Sequence, residues 1–154
     1  MSKFLYTLAI SIAFLITFSS TSAFQMPDID LPEGFSIKVL TDQVPGARSM
    51  ALGDKGTLFV STRRAGKVYA VSGIYSEPEV LTIASGLYMP NGVAFKDGNL
   101  YVAEIHRVHK FEDIENRLNA PKSSIINKSY PTDRHHGWRY ITFGPDGKLY
   151  IPIG

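Results

Sequence analysis

From Phe35 onward the chain is a succession of short runs alternating apolar with polar residues, punctuated by glycine-containing turns. Phe35-Ser36-Ile37-Lys38-Val39-Leu40 alternates strictly, which predicts a strand with one buried face. Beyond it three segments fall into register on a glycine: Asp54-Lys55-Gly56-Thr57-Leu58-Phe59-Val60, Lys96-Asp97-Gly98-Asn99-Leu100-Tyr101-Val102 and Pro145-Asp146-Gly147-Lys148-Leu149-Tyr150-Ile151. Gly56, Gly98 and Gly147 are spaced 42 and 49 residues apart. Each segment follows a short apolar strand (Met50-Ala51-Leu52, Val93-Ala94-Phe95, Ile141-Thr142-Phe143), so each pair reads as a hairpin closed by a tight turn. A third strand follows the first two hairpins, at Lys67–Val71 and Arg107–Phe111, and a fourth is clear in the first unit at Glu79–Ile83. The only helical signal after residue 24 is a turn around Asp113–Leu118.

Four short antiparallel strands per unit, at a period in the forties, predict an all-β fold of β-propeller type. Phe59, Tyr69, Tyr101 and Tyr150 are expected in the blade core. The sequence supplies about two and a half four-stranded blades where closure takes about four to eight, so the pattern predicts a truncated propeller. An open arc leaves a blade face and a sheet edge bare, and a free product of this length is expected to be poorly soluble or disordered.

Residues 1–23 follow a different pattern. Lys3 precedes an apolar run from Leu8 to Phe18 broken only by Ser11 and Thr17, and Thr21-Ser22-Ala23 supplies small residues. This is the pattern of a secretory signal peptide cleaved after about Ala23, giving a secreted or periplasmic product. The apolar run is shorter than the roughly 20 residues that cross a bilayer, so no stable membrane span is expected after cleavage. Residues 24–34, with Pro27 and Pro32, read as an extended lead-in, and residues 35–154 as the propeller portion.

Charge narrows the partners. Lys+Arg 16 against Asp+Glu 14 leaves a net +2 with no basic stripe, which argues against nucleic acid. Cysteine is absent, although an exported chain could form disulfides, so stability must come from a core, a ligand or a metal.

Propeller topology puts the second-to-third strand turns and the loops leading into each blade on one rim. That rim collects Arg63 and Arg64, Glu104 and His106, then Arg48, Asn91, His135 and His136. An imidazole can accept a proton near neutral pH, which makes His135-His136 the most suggestive pair. Taken from the residues alone, two loop histidines at the start of a strand are the plainer reading. His106 and His109 have metal-like spacing, but positions three apart on a strand face opposite ways, so both are expected to be surface histidines.

The run from His135 and His136 through Arg139, an apolar strand and Gly144-Pro145-Asp146-Gly147-Lys148-Leu149-Tyr150 resembles the quinoprotein sugar dehydrogenases of the soluble glucose and sorbosone dehydrogenase type, which are six-bladed propellers. Weaker similarity extends from Leu31 through Ser61–Val68 and Gly86–Phe95. The resemblance implies oxidation of a sugar or related alcohol or aldehyde by pyrroloquinoline quinone (PQQ), with calcium assisting and an external electron acceptor. It places the general base at His136, counting from Gly144, or at His135, counting from Arg139; the turn is the firmer anchor and favours His136. Arg139 matches the motif arginine. Arg64, Asn91 and Arg134 are candidates by position only, and the main quinone and calcium segments of that family lie beyond residue 154, so the metal ligands are unknown. Two other readings stay open: a calcium-dependent lactonase-type propeller, starting from Glu104 and Asn91, and a non-catalytic propeller binding module.

Overall fold

A computed structural model describes residues 27–153; the predicted signal peptide lies outside them. Residues 27–31 are exposed and without regular structure. Strands β1 (Ala47–Leu52), β2 (Leu58–Thr62), β3 (Val68–Ser72) and β4 (Glu79–Ala84) form one antiparallel meander, and β5 (Gly92–Lys96), β6 (Asn99–Ala103), β7 (Val108–Glu112) and β8 (Lys122–Asn127) form a second. A third hairpin pairs β9 (Thr142–Phe143) with β10 (Leu149–Tyr150).

The inner strands of the two four-stranded sheets bury both faces, the second lying between the first sheet and the third hairpin, the first between the second sheet and the segment carrying Leu40 and Val44. Phe59, Val68 and Ala70 of the first sheet meet Val93, Leu100, Val102 and Phe111 of the second in one apolar layer. Phe59 and Phe95 stack at 5.8 Å between ring centroids, 10° from parallel. Alternate residues of the second sheet, Ala94, Ala103 and Val108, turn the other way and pack with Ile141, Phe143 and Leu149 of the third hairpin. Val60, Tyr69 and Val71 face away from the second sheet and are covered by Leu40 and Val44. The period of two in the sequence thus sorts side chains between successive blade interfaces.

The turns explain the glycine register. In the first and third hairpins the N–H of Gly53 donates to Thr57 O at 2.8 Å and that of Gly144 to Lys148 O at 2.9 Å. Gly56 and Gly147 take positive φ values of 83° and 74°. The middle hairpin is tighter: Asp97 and Gly98, both at positive φ, close it between the paired Lys96 and Asn99.

Three expectations change. Phe35–Leu40 forms no strand, and Phe35 is 72% exposed. Its alternation is genuine, but no other described segment pairs with it, and an unpaired strand leaves its backbone groups to water. Tyr150 is half exposed at the margin of a two-stranded sheet, where its hydroxyl donates to Asp146, while Phe59 and Tyr69 are buried. The second sheet also has a fourth strand, β8, that alternation did not reveal. As the outermost strand it is exposed at every position, so selection for an apolar face is absent. The helical signal near residue 113 is a short 3-10 turn, Ile114–Asn116.

That turn ties the blades together on the side away from the candidate rim. The Glu115 carboxylate accepts from the backbone N–H groups of Lys55, at 3.1 Å, and Thr57, at 3.3 Å, in the first blade's hairpin turn. On the candidate rim the second and third units touch backbone to backbone at Gly92. A Cβ there would lie 2.6 Å from Arg139 O and 2.8 Å from Ile141 N, neither of which can swing aside. Gly92→Ala is therefore expected to cost about 2–3 kcal/mol, read as a lower urea midpoint with an unchanged slope.

Candidate functional site

The rim is assembled from the loops leading into β1, β5 and β9 and the turns β2–β3 and β6–β7. Each leading loop hangs on the turn of the preceding blade: the Leu87 N–H donates to Gly66 O at 3.0 Å, and the Tyr130 N–H to His106 O at 3.4 Å. Asn91 then joins three units. Its side-chain amide donates to Arg139 O at 3.1 Å, and its side-chain carbonyl accepts from Arg48 Nε at 2.5 Å.

Arg139 points inward and is 1% exposed. Its Nε donates to Ile105 O at 2.9 Å, a terminal nitrogen donates to Pro131 O at 3.2 Å, and the guanidinium lies over the Tyr130 ring. A planar fork of donors suits this work, because it fixes two carbonyls of different segments at once. Arg139 therefore holds the loop carrying His135 and His136 against the β6–β7 turn.

Glu104, buried on that turn, is likewise occupied. It accepts from Arg107, from the backbone N–H of Tyr88, and pairs with His109 Nε2 at 2.7 Å. Burial alone would push its carboxyl pKa up. The hydrogen bonds from His109, Arg107 and the Tyr88 N–H, with the Arg107 charge, outweigh that and hold it at about 2. His109, expected at the surface, is 8% exposed and is the inner partner of this carboxylate. Its spacing from His106 carried no information on burial, because His106 lies in the β6–β7 turn and not on β7, while His109 turns to Glu104 of its own blade. His106 is half-buried and sits edge-on to the Tyr88 ring.

His135 and His136 are exposed and meet edge to face, with ring centroids 4.3 Å apart. They occupy the centre of a turn in which the Gly137 N–H donates to Arg134 O at 3.4 Å. His136 has φ of 55°, a left-handed conformation that few residues other than glycine, asparagine, aspartate and histidine adopt readily. Met89, Asp97 and Asp113 share this conformation among the described residues, and at His136 it fixes the direction of the backbone that carries the imidazole.

Trp138, which sequence reasoning passed over, connects this turn to the first blade. The Arg63 guanidinium lies 3.9 Å from the indole centroid and that of Arg48 lies 5.4 Å from it. Arg64 is exposed next to them. Spacing could not have revealed the group, since its members come from three loops.

Among the described residues no buried side-chain polar atom lacks a hydrogen-bond partner. Asn91, Arg139 and Glu104 are thus engaged with the protein itself, and the groups left to meet a ligand include His135, His136, the exposed Arg134 and the outward edges of Arg63 and Arg64. Among the described residues no group of three His, Asp or Glu side chains is placed to hold a metal ion. Arg64 is an exposed guanidinium on the rim, a group that can meet an oxyanion.

No family model matches the chain. A protein of Borreliella burgdorferi described as uncharacterized is 23% identical over 164 residues, covering 97% of this chain and 42% of the relative's length. The chain therefore spans about two fifths of that relative. Among solved structures, the PQQ-bound form of an aldose sugar dehydrogenase from Streptomyces coelicolor is similar with a TM-score of 0.58 at 16% identity, over 75% of this chain and 40% of that one. A streptogramin B lyase is similar with a TM-score of 0.51 at 11% identity, over 73% of this chain and 36% of that one. At such identities the likeness concerns fold: the two four-stranded sheets and the third hairpin are blades of a β-propeller.

Proposed function

We propose that this chain contributes the leading blades of a quinone-dependent oxidoreductase acting on a sugar or related alcohol or aldehyde, exported by a leader ending near Ala23. The observation that carries the reading is His136: an exposed imidazole in a left-handed turn, braced by buried Arg139 and followed by the Gly144–Gly147 hairpin. The Streptomyces propeller supports it, since that protein is an aldose sugar dehydrogenase that binds PQQ.

When bound, the quinone supplies a two-electron acceptor for the hydride leaving the substrate carbon. His136 takes the proton of the substrate hydroxyl as the carbon–oxygen double bond forms, and later releases it to water. Arg139 and Asn91 act through the loop, keeping His136 at a fixed height above the rim. Arg64, with Arg63 beside it, offers a guanidinium to a cofactor carboxylate. No step is assigned to calcium.

The test uses the full-length gene product with PQQ, calcium, an aldose and an artificial electron-accepting dye. Dye reduction that requires both aldose and quinone is the expected result. Its absence, with calcium-dependent lactone hydrolysis in its place, would select the lactonase reading. Absence of both activities would leave a binding module.

A further inference from the structure

The first blade carries a feature that the base at His136 does not use. Arg48 from the loop end of β1, with Arg63 and Arg64 from the β2–β3 turn, line an open cleft of about 520 Å³ together with Pro45, Gly46, Ala47 and Ala65. Among the described residues, no carboxylate lies within ion-pair distance of any of the three, although six ion pairs form elsewhere. Guanidiniums gathered this way repel one another, and among the described residues no acid pairs with them to offset this.

Two of the three are held rather than loose. Arg63 is stacked on the Trp138 indole, and Arg48 is anchored by Asn91 through Nε and also lies over that ring. Stacking occupies the face of a guanidinium and leaves its N–H edge free, which is the edge that grips an oxyanion through two parallel hydrogen bonds. Side chains fixed in advance also lose less freedom when a ligand arrives.

We propose that this cleft is an oxyanion site for the carboxylate of a small molecule, with Arg63 and Arg64 as its donors and Arg48 as the fixed charge behind them. The carboxylate could be carried by an acidic sugar substrate or by the quinone. The assignment rests on the oxidoreductase reading only for those two sources; the cleft itself does not depend on turnover.

Trp138 is the single tryptophan of residues 1–154, so in full-length protein with any tryptophan outside that stretch replaced by phenylalanine its fluorescence reports this site. Glucuronate should change its emission saturably, while glucose and sodium chloride at matched ionic strength should not. Arg64→Gln, which does not touch the indole, should leave the ligand-free emission unchanged and weaken glucuronate binding about tenfold or more. PQQ binding is read separately by titration calorimetry, which its absorbance does not disturb. Arg64-dependent binding of PQQ, with no response to glucuronate, would support the site and assign the carboxylate to the cofactor. Arg64-dependent binding of glucuronate with no dye reduction would support the site while rejecting the oxidoreductase. If neither molecule binds in an Arg64-dependent manner, or sodium chloride reproduces the change, the proposal is overturned.

Discussion

In the full-length protein, His136→Asn is expected to lower the rate of sugar oxidation by roughly two to four orders of magnitude while leaving PQQ binding intact. Asparagine suits the test better than alanine, because it tolerates the left-handed conformation at φ of 55° and so separates loss of the base from strain in the turn. A base missing from the transition state should depress kcat and kcat/KM together, whereas a misplaced loop would also weaken substrate binding. His135→Asn, one residue away and also exposed, should change turnover by no more than a few-fold. Unchanged kinetics in His136→Asn would reject the assignment, and a collapse confined to His135→Asn would move the base by one residue.

The second large effect concerns folding. Replacing Glu104 by leucine removes the one carboxylate shared by Arg107, His109 and the Tyr88 N–H, and is expected to cost about 3–5 kcal/mol. Glu104→Gln should cost less and alter the pH response. The folded carboxyl titrates at about 2, below its ordinary 4.5, so its contribution is fully present above that ordinary value and is lost as pH falls toward 2. Urea midpoints measured between pH 6 and pH 2 should fall steeply in the parent over that window and more gently in Glu104→Gln. Parallel curves would show that the carboxylate contributes nothing specific.

The repeat was readable because blades impose two local demands that composition records directly. Inner strands must be apolar on both faces, as Leu100-Tyr101-Val102 is, and hairpin turns need residues that accept positive φ, as Gly56, Gly98 and Gly147 do. What could not be read depends on neighbours distant in sequence. Phe35–Leu40 alternates like a strand, yet pairing is a property of two segments and no other described segment pairs with it. β8 pairs with β7 through its backbone alone, and its side chains face water, so its pattern is silent. At the rim, position in the repeat correctly brought Arg48 and Asn91 together. It could not tell that Asn91 and Arg139 spend their polar atoms on the protein, or that Glu104 turns inward to His109. Those outcomes depend on side-chain direction and on which carbonyls happen to be in reach.

The contact between the first two blades is fastened at both ends. Asn91 bonds Arg48 on the candidate rim, and Glu115 bonds the first hairpin turn on the other, with the apolar layer of Phe59, Leu100 and Val102 between. A joint pinned at top and bottom can neither open like a book nor shear, so the two blades behave as one stiff wedge. The third unit is hydrogen-bonded to the second toward the rim, through Arg139 and beside the close approach at Gly92, and beyond that it packs through Phe143 and Leu149 without a second polar pin. Relative motion should therefore be concentrated between the second and third blades, with its pivot at Gly92, a short distance along the loop from the histidine turn. Native-state hydrogen exchange would show this as earlier opening of the β9–β10 amides than of β5 and β6.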